Sequence, residues 1–386
     1  MLSDLHRTLT AAREDRALLD EGRRLTDRVA DALVADGFAR HFVPEHVGGC
    51  AGTFTALLDA VSSVAETCAS TAWCGALYAA HGRLASYLPE EGQHALWGRS
   101  PDVCVAASVV PPQGKAERVD GGWRITGEWT MASGVDQADW VLLASMAEPV
   151  AGAEPVTGAA GSAGPVRENR VFAVPRPDVK VRDTWHPIGM RGTGSNTVEA
   201  DVFVPAHLSF TVRDLARAKP HAARCHTVPF PLVAGLIFAA PVLGAAEGIL
   251  RHWWNQQCLR TRPDGGTAAQ QPAQQRVLAD ASARIQSARL LLERAAQRAD
   301  AAPITPLLVA ENQRDVAAAV ELCGTAADEM LHAAGARALD DTNPLQRAWR
   351  DITTARAHGT LDPEKAAAAY AQARLAAHAA DTEGVR

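Results

Sequence analysis

The sequence predicts an α+β protein, mainly helical, in which a small antiparallel β-barrel or sandwich sits between an N-terminal helical domain and a C-terminal helical bundle. Three observations carry this. Apolar residues recur at helical spacing over residues 1–102 and again from about residue 230. Between them, β-branched residues alternate and turn dipeptides interrupt the runs. The short strands there have no helical patterns between them, which favours a barrel or sandwich over a parallel sheet. The expected domains are 1–102, 103–212 and 213–386.

Along the chain, Leu18, Leu25, Val29 and Leu33 place a helix over Ala17–Asp36, with Gly37 as its C-cap. Pro44 and the Gly48-Gly49 pair make 38–50 a loop. Helices follow over Phe54–Ala69 and Ser70–Leu88, the second apolar all round and therefore buried. Strands are expected at Trp123–Trp129, Trp140–Ala144, Val171–Val174, Val179–Val181 and Thr197–Val204, with Asp120-Gly121-Gly122 as a hairpin turn. The Ala/Gly/Pro-rich stretch 149–168 reads as a flexible hairpin insertion. The last part carries long amphipathic helices over Ala273–Ala299, Thr305–Ala333 and Leu345–Gly359. Pro263, the Gly265-Gly266 pair and Pro272 mark a mobile loop before the first of them.

Composition narrows the function. The 386 residues are 47% hydrophobic and 21% charged, an ordinary globular balance. A net charge of −6 gives no electrostatic footprint for nucleic acid and no polybasic patch for an anionic membrane. No apolar stretch of membrane-spanning length is evident, and residues 1–16 mix both charge signs, unlike a signal peptide. Seven scattered cysteines without a C-x-x-C pair read as reduced thiols, so the expected location is cytoplasmic. The strand-borne G-x-G-x-x-G, the P-loop, the G-x-S-x-G elbow and H-E-x-x-H are all missing. His6, His41, His46, His94 and His226 have no ligand-like spacing, so no metal is expected.

The most unusual segment is Asn343-Pro344-Leu345-Gln346-Arg347-Ala348-Trp349-Arg350-Asp351, followed by His358. Three permanent charges beside a tryptophan are odd in an alanine-rich bundle. On a continuous helix, residues 350, 354 and 358 share one face, a candidate site wall.

Four ordered segments together resemble a known family. Val43–Gly49 (VPEHVGG) with Ala69–Trp73 (ASTAW), Gly127–Trp140 (GEWTMASGVDQADW), Trp185–Asn196 (WHPIGMRGTGSN), and Asn343–Asp351 with His358 are similar to motifs of the class D two-component flavin-dependent monooxygenases. These belong to the acyl-CoA dehydrogenase fold superfamily, whose C-terminal part is a four-helix bundle. Gly37–Pro44, Ala85–Gln93 and Cys225–Pro229 most resemble the aromatic polyketide hydroxylases of the actinorhodin type. The Tyr-Glu-Gly-Thr segment of true acyl-CoA dehydrogenases is missing.

The resemblance implies an oxygenase component. It would take reduced flavin from a separate NAD(P)H:flavin reductase and use O2, through a flavin C4a-hydroperoxide, to hydroxylate a phenolic or polyketide-like aromatic in secondary metabolism, as in antibiotic biosynthesis. Reduced FMN is the preferred flavin, FADH2 the alternative, with no metal. A cytoplasmic homotetramer, a dimer of dimers, is expected.

The same resemblance distributes roles. Ser133 would hydrogen-bond flavin N5, Trp185 line the flavin, and Thr193 and Ser195 face its ribityl chain or phosphate. Arg260 and Arg262 would reach phosphate, often across a subunit contact, with Arg337 as a further such arginine. His358 would sit near the reacting flavin carbon and take the substrate's phenolic proton, an imidazole being suited to that near neutrality. Arg350 and Asp351 would orient its helix. Trp73 and His81 would line the substrate or flavin edge, with His81 as a second catalytic histidine beside His358. Without the resemblance, Ser133 is equally a turn serine, Trp185 a core aromatic, Thr193 and Ser195 parts of a tight turn, each arginine a solvated charge, and His81 a core histidine. Three other functions stay open: N-hydroxylation of an amine or aminosugar, acyl-CoA dehydrogenation, and a purely structural helical role.

Overall fold

The computed structural model describes residue 2 and residues 4–148, 167–216 and 222–383. Six helices open the chain: α1 (His6–Glu14), α2 (Arg16–Gly22), α3 (Asp27–Ala35), α4 (Phe54–Ala65), α5 (Ala69–Ala85) and α6 (Glu90–Trp97). Eight strands follow: β1 (Val105–Ser108), β2 (Lys115–Val119), β3 (Gly122–Ala132), β4 (Trp140–Ala147), β5 (Glu168–Pro175), β6 (Lys180–Arg182), β7 (Asn196–Pro205) and β8 (Ser209–Thr211). The rest is helical: α7 (Arg224–Thr227), α8 (Phe230–Leu259), α9 (Pro272–Ala301), α10 (Pro306–Ala334), α11 (Pro344–Arg356) and α12 (Pro363–Glu383).

Local chemistry explains several boundaries. The helix expected over Ala17–Asp36 is two helices. Arg23 takes a left-handed conformation (φ 52°) that ends α2, and the Thr26 hydroxyl, accepting from Val29 N–H at 3.2 Å, starts α3. Thr53, Thr305 and Asn343 cap α4, α10 and α11 in the same way. Pro272, Pro306 and Pro344 stand at first helical positions, where a missing N–H costs nothing. The five expected strands are present, and Gly121 (φ 76°) turns the β2–β3 hairpin, closed by the Val119–Gly122 pair. The strands β1, β2 and β8 were not legible, being short or charged.

The strands run β6-β7-β3-β2-β4-β5-β8, with β1 beside β4. Most pairings are antiparallel, as expected, but β1 and β2 each pair parallel with β4, so the sheet is mixed. The expected hairpin insertion at 149–168 lies outside the described residues, apart from Arg167 and Glu168, which leads β5.

Two hydrophobic cores result. The N-terminal helices and the C-terminal bundle share one, threaded by α5 and α8. The sheet encloses the other, into which the end of α5 and α6 also pack. Helices α8, α9 and α10 lie side by side, α11 closes on α8 and α10, and α12 rests on α10. Contrary to expectation, α8 is long and apolar enough to cross a membrane by composition, but it is the central helix of the core and most of its apolar stretch is buried.

Candidate functional site

Where the end of β3 meets α5, a chain of hydroxyls forms. Ser133 Oγ lies 2.7 Å from Ser195 Oγ, and Ser195 Oγ lies 2.7 Å from Thr193 Oγ1. Thr193 Oγ1 donates to Met190 O at 2.9 Å, and the same carbonyl accepts from Trp185 Nε1 at 2.9 Å. All three hydroxyl residues are buried. Backbone bonds hold the chain: Gly134 N–H donates to Thr193 O at 2.7 Å, and Tyr78 of α5 donates to Gly134 O at 2.8 Å. The Thr193 and Ser195 side chains are thus committed to one another and to Ser133.

Beside this chain, β3 carries a bulge. Trp129 pairs with Val198 and Ala132 with Asn196, so β3 holds one residue more than β7 between the pairs. The bulge puts Met131 in a left-handed conformation (φ 61°) and leaves it 69% exposed. An exposed apolar residue in that conformation is costly, and bulges commonly re-aim side chains at sites. Met131 and Thr130 form one side of an open cavity of about 390 Å³, facing Trp185, Pro187 and Ser195. Asn196 Oδ1 accepts the Thr184 and Trp185 N–H groups, fixing the far side.

The second wall is aromatic. Trp73 Nε1 donates to Ser133 Oγ at 3.2 Å. Its ring lies 5.0 Å from Phe238 of α8 and 5.8 Å from His358, and Phe238 stacks on His358 at 3.8 Å. His81, two turns beyond Trp73 on α5, bonds Val105 O through Nδ1 at 2.8 Å. A carbonyl only accepts, so Nδ1 carries the proton and Nε2 is the acceptor. His358 is the reverse: its Nδ1 accepts from Thr360 N–H at 3.2 Å, so Nε2 carries the proton.

The expected wall at 350, 354 and 358 does not form. Helix α11 ends at Arg356, and His358 caps the short turn Gly359–Leu361 that follows. Arg350 instead turns to Gln346 Oε1 at 2.7 Å, Ile188 O and Asp20. Asp351 accepts from Met190 N–H. Together these two residues clamp the Trp185–Asn196 loop onto α11.

Among the described contacts, Trp73, Ser133, Trp185, Thr193, Ser195 and His358 form one connected set. The three arginines stand apart. Arg260 is exposed at the end of α8, Arg262 pairs with Asp264 at 2.7 Å, and Arg337 is exposed before α11. Phe238, Met131 and Asn196 belong to the set and were not anticipated. Phe238 gives no signal inside an apolar helix, whereas the break in alternation at Trp129-Thr130-Met131 could have flagged the bulge. Among the described residues, no group of three His, Cys, Asp or Glu is placed to hold a metal.

Burial sets the protonation states. It pushes His81 down to about 4, against its bond to Val105, and His358 down to about 4. Burial likewise lowers His41 and His252. Asp351 is pushed up to about 6, chiefly by burial, with the Met190 N–H opposing and Asp20 adding to the rise. Below the ordinary histidine value of 6.5 the unfolded chain takes up protons that the folded histidines refuse, so stability falls as pH drops towards 4. Asp351, raised to about 6, and Asp59, also raised by burial, work in the opposite direction, against the four histidines. The melting temperature is therefore expected to be lower at about pH 5 than at pH 7.5, with a smaller drop in His81→Gln. An undiminished drop in that variant would remove His81 from the account.

Known proteins share this architecture. The family described as "Acyl-CoA dehydrogenase, C-terminal domain" matches residues 236–363. The oxygenase subunit HsaA of a flavin-dependent monooxygenase from Rhodococcus jostii is 30% identical, covering 97% of this chain and 98% of its own. The oxygenase component of an FADH(2)-dependent resorcinol hydroxylase from Rhizobium sp. is 31% identical over 89% of this chain and 86% of its own. Among solved structures, XiaF from Streptomyces sp., in complex with FADH2 and glycerol, superposes with a TM-score of 0.88 at 26% identity, covering 97% of this chain and 94% of that one.

Proposed function

The chain belongs to the flavin-dependent monooxygenases, as an oxygenase component on the acyl-CoA dehydrogenase fold, and from that premise we propose that it hydroxylates a phenolic, polyketide-like aromatic in secondary metabolism. O2 is the co-substrate, and a separate NAD(P)H:flavin reductase supplies the reduced flavin. One observation carries the reading. A buried hydroxyl, Ser133, links the open cavity, through Ser195, to an aromatic wall made of Trp73, Phe238 and His358. That suits a planar heterocycle on one side and a planar substrate on the other.

Bound flavin supplies the oxygen-activating chemistry. Ser133 would offer a lone pair to N5–H, and Met131 and Trp185 would line the cavity that holds the ring. His358, protonated on Nε2, donates to the substrate oxygen. His81, with Nε2 bare and held unprotonated by burial, accepts a hydrogen bond from the phenol and does not take its proton. The expected role of His358 as base would need its Nδ1, which accepts from Thr360 N–H. Either reduced flavin offers the same ring; FMN is the first choice and FADH2 the second.

Arg260 lies 22 residues beyond Phe238 on α8, a span of about 33 Å at 1.5 Å per residue. That exceeds the length of a flavin mononucleotide, so Arg260 and Arg262 would serve a neighbouring subunit's phosphate. Such sharing calls for an oligomer, for which we propose a homotetramer, a dimer of dimers, with Arg337 as a further phosphate ligand. N-hydroxylation would call for an acidic partner, and dehydrogenation for a carboxylate base. Trp73, Ser133, Phe238 and His358 include none, Asp351 is turned to Met190, and Asp136 accepts from Asn196 Nδ2.

Rapid mixing tests the reading. Protein with photoreduced FMN, or FADH2, mixed with oxygenated buffer should show a transient absorbance band absent from free flavin, and a phenol should then gain one oxygen. Oxidation indistinguishable from free flavin with both would sink it.

A further inference from the structure

The hydroxyl chain has a direction, and the carbonyl at its end sets it. Met190 O only accepts. An O–O approach of 2.9 Å without a hydrogen between would be repulsive, so the single Thr193 proton points at Met190. Thr193 Oγ1 must then accept in its 2.7 Å contact, so Ser195 donates to it. Ser195 has no second proton, so Ser133 donates to Ser195 across 2.7 Å. Ser133 receives Trp73 Nε1–H at 3.2 Å. Its proton is spent inside the chain, and what remains for a ligand is a lone pair.

We propose that Thr193 and Ser195 act as positioning residues that lock Ser133 as an acceptor, so that the site selects reduced flavin over oxidised flavin. The inference rests on the flavin reading above. Reduced flavin carries a proton on N5 and meets the lone pair with a hydrogen bond. Oxidised flavin has a bare N5, whose own lone pair would face that of Ser133. Burial of all three hydroxyls keeps water from reversing the order. Such a site would release its flavin once oxidised and take up the next reduced molecule, as a component fed by a separate reductase requires.

The test is equilibrium binding without turnover. Dissociation constants for oxidised FMN in air and for photoreduced FMN under anaerobic conditions are measured by fluorescence and compared as a ratio. Wild-type protein should favour the reduced form. In Ser195→Ala the Ser133 proton is freed to swing towards N5, and in Thr193→Val the chain can reverse. Each should bind oxidised FMN more tightly and shrink the ratio about tenfold, the size of one hydrogen bond. Thr193→Ser, which keeps the proton on Met190, should retain the wild-type ratio. An unchanged ratio in Ser195→Ala, or equal weakening of both forms, overturns the lock and leaves the flavin reading intact. Failure of wild-type protein to bind FMN or FAD in either state overturns the flavin reading itself, and the lock with it.

Discussion

Replacing His81 with alanine is expected to lower the hydroxylation rate about tenfold near neutral pH, the worth of one hydrogen bond accepted from the attacking phenol. The expectation follows from the fixed tautomer. Val105 O holds the Nδ1 proton at 2.8 Å, so Nε2 is bare, and burial keeps it bare through the neutral range. A phenol attacks an electrophilic oxygen far better as its hydrogen-bonded or ionised form. The loss should therefore shrink as pH rises towards the substrate's own pKa, where the phenolate forms without help. His358→Ala removes a donor, not an acceptor, so its loss, of similar size, should show no such rescue. His81→Gln guards against a folding defect, since its amide can still donate to Val105 O. A His81→Ala enzyme at wild-type rate, or a rescue seen only in His358→Ala, would return the accepting role to His358.

How the two histidines differ was not legible in the sequence. His358 and Ser133 stood out because they lie in dense, ordered motifs, and the structure joins both through Trp73. The tautomers depend on Val105 O and Thr360 N–H, backbone groups with no signature of their own. The supposed face at 350, 354 and 358 shows the cost of extending a periodicity past a helix end. Helix α11 ends at Arg356, and His358 is extended (φ −66°, ψ 130°) as it leads into the Gly359–Leu361 turn, so spacing of four no longer means one face. Phe238 was invisible for the opposite reason: in an apolar helix every position looks alike, and only the stack on His358 distinguishes it.

The fold was easier to read, because most of its elements announce themselves locally. Alternation located β3, β-branched and apolar runs located β4, β5 and β7, and Asp120-Gly121-Gly122 located the turn that leads into β3. Short β1 escaped because its neighbour is a parallel partner 35 residues away: Val105 pairs with Trp140, which no local pattern encodes. Charged β2 has a single buried residue, Ala116, so it shows no hydrophobic face.

Gly189→Ala is expected to be the most damaging single-atom-scale change in the site. A Cβ on Gly189 would lie 2.1 Å from Arg350 O, 2.2 Å from the Arg350 carbonyl carbon and 2.6 Å from Asp351 N. These are backbone atoms of α11, which no rotamer change can clear, so the loop must retreat from the helix. Retreat breaks the Asp351–Met190 bond and leaves a buried carboxyl without its donor. Overpacking costs about 1–3 kcal/mol and a lost bond to a charged group about 1.5–3 kcal/mol, so a loss of roughly 3–5 kcal/mol is expected. The damage should also reach the ligand. Met190 O anchors both Trp185 and Thr193, so its displacement should weaken flavin binding and remove the preference for the reduced form together. Gly22→Ala is the control: nothing lies within 4 Å of its Cβ, and its melting temperature should stay near that of wild type. Thermal melts and FMN titration check both. A Gly189→Ala protein that melts and binds like Gly22→Ala would mean that α11 does not hold the loop, and the clamp would fall with it.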